Sequence, residues 1–340
     1  MTDIDAASLS RWLVQAAARH APVLRIEKFA GGQSNPTYRV GTADGDIVLR
    51  RKPFGPLLPS AHAIEREYRL LSALQPTGFP IPRPIALCQD SAVIGAPFYL
   101  MEMVKGANHF DGALPEVPRR ERRRVYETMI DTLAALHKID YAALGLEDFG
   151  RPGNYFTRQV GRWTTQYRAA QTEEIAEVER LIDWLPRTVP LQTATSIIHG
   201  DYRIDNLIFA PDYRQVRAVI DWELATIGDP IADFAYLAMN WALPRDGRAG
   251  LAGIDLDREG IPTLDEAVQR YCTLTGRESL PDLHWYFAYN LFRLIGILQG
   301  VKKRLADGNA SSTQAATAVE QIGTLAHAAW DQAQRAGAGR

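Results

Sequence analysis

What this chain has little of narrows it before any motif is found. Only two cysteines occur in 340 residues, Cys88 and Cys272, far apart and in no metal-ligand spacing. That argues against a disulfide framework or a thiolate metal site and points to buried thiols in a reducing compartment. Net charge is nearly absent as well: a formal −2 at pH 7 supplies no global attraction to nucleic acid or to an anionic membrane. No long hydrophobic run is present, because LFRLIGILQG is interrupted by Arg293 and is too short to span a bilayer. The opening residues, MTDIDAASLSRWLVQAAARH, lack the cationic start and apolar block of a secretory signal and read as a capped amphipathic helix. No internal repeat shows, and only ADGNASSTQAATA and the terminal GAGR are loose in composition. These absences predict a cytoplasmic protein with no nucleic-acid or membrane partner; they are silent on oligomeric state.

What remains is ordinary globular material, 46% hydrophobic and 23% charged, enough for one large or two modest domains. Val23 to Phe29 is strand-like, Asp44-Gly45 makes a hairpin turn into Ile47 to Arg50, and APFYLMEMVKG reads as an apolar strand with Glu102 near its end. A helix is predicted from near Ser60, with Ile64, Tyr68, Leu71 and Leu74 on one face. Beyond Gly106 the pattern turns mostly helical, so a lobe boundary is placed near residue 105, dividing the chain into 1–105 and 106–340. In the second part PRRERRRVYETMIDTLAALHKID carries a helical stripe that ends at His137. The segment FGRPGNYFTRQVGRWTTQYRAA reads as irregular, and a helix is expected around Glu173 to Leu185. Tyr155, Trp163 and Tyr167 are core aromatics or, on the alternative, walls of a pocket.

The stretch from Ser196 to Tyr236 concentrates the chemistry. A short apolar strand enters His199-Gly200-Asp201, a second strand follows Asn206, and a third ends at Asp221. Mg²⁺ prefers oxygen ligands and takes one or two protein groups together with phosphate oxygens and water, a role that Asn206 and Asp221 fit. Asp201 is then free to accept a proton from a hydroxyl. Earlier in the chain, AGGQSNPTY places Gly31, Gly32, Ser34, Asn35 and Thr37 in a turn able to lay amide N–H groups over a phosphate, although a plain hairpin turn has the same composition. Arg50 ends the following strand, where it either meets a phosphate or, with Arg51 and Lys52, forms a basic sheet edge. Strand alternation aims Arg51 to the face opposite Arg50. Glu65 and Glu67 lie on different faces of the next helix, so only one of them can point towards that strand.

These segments together resemble the aminoglycoside phosphotransferase and choline kinase families. HGDYRIDN resembles their HGD-x-x-x-x-N catalytic loop and IDWE their metal-binding aspartate motif. FAGGQSNPTY, VLRRKP, LPSAHAIEREYRLLSAL, FYLMEMVKG and GDPIADFAY are similar to a subgroup related to the kinase-like domain attached to some acyl-CoA dehydrogenases. The likeness runs from about Phe29 to Tyr236. It implies an α+β, two-lobed protein-kinase-like fold, with a small N-terminal β-sheet lobe and a larger, mainly helical C-terminal lobe, and ATP between the lobes. It further implies that Asp201 is the catalytic or acceptor-orienting carboxylate and that Asn206 and Asp221 hold Mg²⁺. Arg50 stands where these kinases usually carry lysine, with Glu67 as its helix partner; residues Gly31 to Thr37 cover the phosphates, and the backbone of Met101, Glu102 and Met103 recognises adenine. Asp229 and Asp233 are expected to cap and brace the metal segment, and His199 to hold its loop by hydrogen bonding.

The expected activity is therefore an ATP- and Mg²⁺-dependent phosphotransferase acting on a hydroxyl of a small molecule. Arginines in Asn154 to Arg168 and Asn240 to Arg248, together with Arg203, lean the acceptor towards an anionic or acyl compound, a hydroxy acid or hydroxyacyl-CoA. An aminoglycoside-type antibiotic kinase, a catalytically silent nucleotide-binding protein and a metal-dependent phosphatase are the alternatives.

Overall fold

Alternating apolar residues in the first third of the chain pair into an antiparallel sheet of five strands among the described residues. The computed structural model describes residues 4–29, 35–54, 63–245, 250–307 and 319–339. Strands β1 (Val23–Lys28), β2 (Thr37–Thr42), β3 (Gly45–Arg51), β4 (Pro84–Cys88) and β5 (Phe98–Glu102) lie in the order β1-β2-β3-β5-β4. The β2–β3 hairpin closes with Thr42 opposite Gly45, whose φ of +111° explains why glycine follows Asp44. Helix α1 (Ala6–Ala16), capped by the Asp5 side chain, lays Leu9 and Leu13 into a core with Tyr38, Val40, Ile47, Leu49, Phe98 and Leu100. Helix α2 (Ile64–Leu74) buries Ile64, Leu70, Leu71 and Leu74, and with them the carboxylate of Glu67. It begins at Ile64; the start expected near Ser60 lies outside the described residues.

The chain divides into two compact units, the first formed by Met1–Phe110, Ile139–Leu146 and Ile204–Ala225, the second by Asp111–Lys138, Glu147–Arg203 and Thr226–Arg340. This grouping is not a single cut along the chain, because residues 204–225 pack with the sheet rather than with their sequence neighbours. The second unit is mainly helical: α3 (Arg119–His137), α4 (Tyr155–Ala170), α5 (Ala176–Trp184), α6 (Ile231–Ala238), α7 (Leu256–Glu259), α8 (Leu264–Thr275), α9 (His284–Ala306) and α10 (Ile322–Arg335) surround a short pair of strands, β6 (Ser196–Ile198) and β9 (Thr226–Gly228). Between those strands, β7 (Leu207–Phe209) and β8 (Val216–Val219) form a hairpin of the first unit, tied to it by Val219 N–H donating to Pro80 O at 2.9 Å. Among the described residues no helix is long and apolar enough to cross a membrane.

One segment departs from its sequence reading. Residues 155–170, expected to be irregular, form α4, because Tyr155, Phe156, Val160, Trp163, Tyr167 and Ala170 recur at helical spacing and are all buried. The Gly-Arg-Pro-Gly run at 150–153 precedes the helix instead of interrupting it, and Asn154 turns the chain into it with a φ of +47°. The three aromatics offered as core or pocket wall are core.

Gly106 marks a close approach. A Cβ there would meet the Phe209 carbonyl and stand 2.6 Å from Ile208 Cγ2, on the strand that follows Asn206. Gly106→Ala is expected to lower the unfolding free energy by about 1–3 kcal/mol, the usual range for overpacking, as read by urea denaturation. An unchanged midpoint would show that β7 can shift freely.

Candidate active site

Arg50 lies near the end of β3, pointing away from the face that Arg51 shares with Tyr38. Its Nε is 3.0 Å from Glu67 Oε2, and its Nη2 donates to Asp221 Oδ1 at 2.6 Å and to Glu223 Oε2 at 3.2 Å. Only 7% of Arg50 and 4% of Glu67 is exposed, whereas the Asp221 and Glu223 side chains keep 37% and 26% of their surface, so a buried ion pair meets two carboxylates that reach solvent. Burial opposes the charge on Arg50, and Glu67, Asp221 and Glu223 more than offset it, holding the guanidinium protonated. Glu65 takes another partner, with one oxygen 2.6 Å from Lys52 Nζ. Arg51 bonds the Tyr38 hydroxyl and stacks on Phe54, so strand alternation separates the roles of the two arginines.

Asn206 and Asp221 flank the β7–β8 hairpin. Leu207 pairs with Val219, and Ile220 N–H donates to Asn206 O at 2.9 Å, which fixes both residues on one end of the hairpin. Asn108 Nδ2 further bonds the carbonyls of Asp205 and Leu207 at 2.8 and 3.0 Å. Asp221 adopts a left-handed conformation, φ +66° and ψ +61°, rare for a residue with a Cβ and typical of positions held for function. Trp222 locks the turn from beneath, its indole N–H donating to Val219 O at 2.8 Å and its ring meeting Phe79 edge-on. The donors suit a hard divalent cation: a carboxamide and a carboxylate, all oxygen ligands. Among the described residues there is no group of three or more His, Cys, Asp or Glu able to hold a metal.

Of the remaining nucleotide-side candidates, Gly31, Gly32 and Ser34 lie outside the described residues. Asn35 is buried and donates from Nδ2 to Glu223 Oε2 at 3.3 Å, while Thr37 pairs with Arg50 in the sheet and bonds Asn35 O through its hydroxyl at 3.0 Å. Met101 and Glu102 end β5 opposite Val48 and Ile47, and Met103 continues just past the strand. The Glu102 side chain faces Arg83 at 3.8 Å.

Asp201 belongs to the second unit. Its loop is fixed from three directions. The Asp233 carboxylate on α6 accepts from His199 N–H at 2.6 Å and Gly200 N–H at 2.8 Å; Asp201 N–H donates to His199 Nδ1 at 3.2 Å; Arg293 Nη2 on α9 donates to Gly200 O at 2.8 Å. Gly200 needs no Cβ because its φ is +82°. Burial pushes the Asp233 carboxyl up, but hydrogen bonding from His137 and the His199 amide outweighs it, leaving the group below its ordinary value. The Tyr236 phenol is hydrogen-bonded to Asp201, and Arg203 Nε lies 3.8 Å from Asp201 Oδ2. Arg293 is buried between the rings of Trp163 and Tyr236, its charge acting on Asp201 through space. Sequence reasoning did not select Glu223, Tyr236 or Arg293. The first sat inside the quoted IDWE motif, and the last was visible as a lone cation in an apolar helix.

Comparison with known proteins bears on this geometry. Residues 25–269 match the model of the phosphotransferase enzyme family. Acyl-CoA dehydrogenase family member 10 of Mus musculus is 45% identical over 316 residues, covering 92% of this chain and 30% of its own length. The chain spans less than half the length of such curated relatives. A crystal structure from Ralstonia eutropha, provisionally named an aminoglycoside phosphotransferase, is 43% identical, with a TM-score of 0.88 over 98% of this chain and 99% of that one. The aminoglycoside phosphotransferase APH(4)-Ia, solved with ADP and hygromycin B, shares the fold at 15% identity, with a TM-score of 0.63 over 98% of this chain and 100% of that one.

Asp229, at the start of α6, accepts from Ile231 N–H at 2.9 Å, yet burial pushes its carboxyl up to about 6. An unfolded aspartate titrates near 4, so between about pH 4 and 6 the folded chain binds more protons and stability falls as pH rises. Asp229→Asn keeps an acceptor and removes the charge. It is expected to lose less stability than the parent between pH 4 and 7, by up to roughly 2–3 kcal/mol. Parallel urea titrations check this, and identical pH profiles would refute it.

Proposed function

The chain belongs to the phosphotransferase enzyme family, and from that premise we propose that it is a small-molecule kinase: it transfers the terminal phosphoryl group of ATP, with Mg²⁺, to a hydroxyl of an anionic acceptor, a hydroxy acid or its acyl-CoA thioester. The observation that carries the reading is the cluster in which the buried Arg50–Glu67 pair meets the solvent-accessible carboxylates of Asp221 and Glu223. A buried ion pair adds little to stability, and one guanidinium facing three carboxylates leaves an excess of negative charge that a divalent cation carrying phosphate would balance, which supports a metal–nucleotide site over a purely structural one.

The roles follow from chemistry. Asp201 orients the acceptor hydroxyl and takes its proton as the new O–P bond forms and the bond to the ADP leaving group breaks; little more is asked of a base in a loose transition state. Asn206 and Asp221 would hold Mg²⁺, which supplies charge neutralisation at the phosphate oxygens. Arg50 donates to those oxygens in place of lysine, with Glu67 fixing its direction. Gly31, Gly32, Ser34, Asn35 and Thr37 cover the phosphates, and the backbone of Met101 to Met103 receives the adenine. Residues 1–105 would form the nucleotide lobe and 106–340 the acceptor lobe, with 204–225 packed on the former.

The names of solved relatives favour an aminoglycoside acceptor. The surroundings of Asp201 favour the anionic one. A polycation calls for carboxylates beside the transfer site, whereas Arg203 and the buried Arg293 stand there instead.

ADP release should be measured over a panel of hydroxy acids, their CoA thioesters and aminoglycosides. Turnover is expected with a member of the anionic set, and Asp201→Asn should reduce it by about 10²-fold or more. Nucleotide binding without turnover on any acceptor would favour the catalytically silent alternative, and turnover confined to aminoglycosides would overturn the acceptor assignment.

A further inference from the structure

The carboxylate read as a metal ligand is already engaged by a cation of the chain itself. Arg50 Nη2 sits 2.6 Å from Asp221 Oδ1 and 3.2 Å from Glu223 Oε2, while its Nε stays with Glu67 at 3.0 Å. The guanidinium spreads its charge over nitrogens that face different ways, so one end keeps the ion pair with Glu67 while the other donates to Asp221 and Glu223, whereas a lysine ammonium concentrates its charge and its three donors at one point. Glu223 is also bonded by Asn35 Nδ2 at 3.3 Å, and the Asp221 backbone is left-handed.

We propose that Arg50 is a built-in counter-cation which occupies Asp221 and Glu223 when no nucleotide is bound, so that a divalent cation enters only together with a polyphosphate. A bare divalent ion, though drawn by the excess of carboxylates, must compete with the guanidinium for an Asp221 oxygen already hydrogen-bonded at 2.6 Å. Polyphosphate oxygens give Nη2 a better anion, draw it off Asp221 and release that oxygen to the metal, while Glu67 keeps Nε in place throughout. Metal and nucleotide affinities are then coupled, each raising the other by the same factor. The inference rests on the assignment of Asp221 to the metal made above.

The test is Mn²⁺ binding followed by the electron paramagnetic resonance signal of the free ion, with and without the non-hydrolysable analogue AMP-PNP. The parent chain is expected to bind Mn²⁺ at least about tenfold more tightly with AMP-PNP than without, a coupling of ordinary size. Arg50→Met should tighten nucleotide-free Mn²⁺ binding by about tenfold and shrink the coupling by about the same factor, leaving the part that phosphate oxygens supply by ligating the metal directly. Because that variant strands Glu67 and risks misfolding, Arg50→Lys, which leaves a cation beside Glu67, is the companion; it too should bind Mn²⁺ alone more tightly than the parent. Nucleotide-free affinity unchanged in both variants, with Asp221→Asn still abolishing Mn²⁺ binding, overturns the counter-cation role and leaves the metal assignment standing. Mn²⁺ binding indifferent to Asp221→Asn overturns both.

Discussion

A buried guanidinium with carboxylates on two sides is the interaction on which the nucleotide-side geometry depends. Arg50 joins strand β3 to helix α2 through Glu67, and to the segment after β8 through Asp221 and Glu223. Arg50 and Glu67 would each be costly to bury alone, and each offsets the other. The cluster therefore ties sheet, helix and hairpin together through one guanidinium. It also explains why residues 204–225 pack with a sheet far from them in sequence.

The second unit solves a different problem, that of holding one carboxylate steady on a loop. Asp201 carries no regular secondary structure of its own. Its neighbours' amides are gathered by Asp233, its preceding carbonyl by Arg293, and its own amide by His199. Because the amides donate to an ionised and fully buried acceptor, these are strong hydrogen bonds in a setting that shields them from water. Helix α6 thus acts on the loop through Asp233 and Tyr236 and helix α9 through Arg293, and their sequence distance from Asp201 hides the connection.

Legibility followed the range of the interaction. The hairpin at Asp44-Gly45, the stripe ending at His137 and the β-rich start were readable because turn chemistry and periodicity are local. The choice of Glu67 over Glu65 came from the family likeness, and the ion pair with Arg50 agrees with it. Helix α4 was missed because Gly-Arg-Pro-Gly and three aromatics looked like loop composition, while the burial that stabilises the helix comes from other elements. The left-handed Asp221 had no local signature, since it is imposed by the packing of Trp222 beneath it and by the Asn206–Ile220 hydrogen bond.

By itself the sequence determined most element types, helix α4 excepted, together with the family and the identities of most of the polar residues, all of which depend on short spacings along the chain. Only the tertiary structure decided that Arg50 embraces Asp221 and Glu223 as well as Glu67, and that Arg293 reaches the loop of Asp201 from a helix ninety residues away. Such pairings are set by the desolvation of charges brought together from distant segments. That energy does not exist until the segments meet, so no pattern in the order of residues records it.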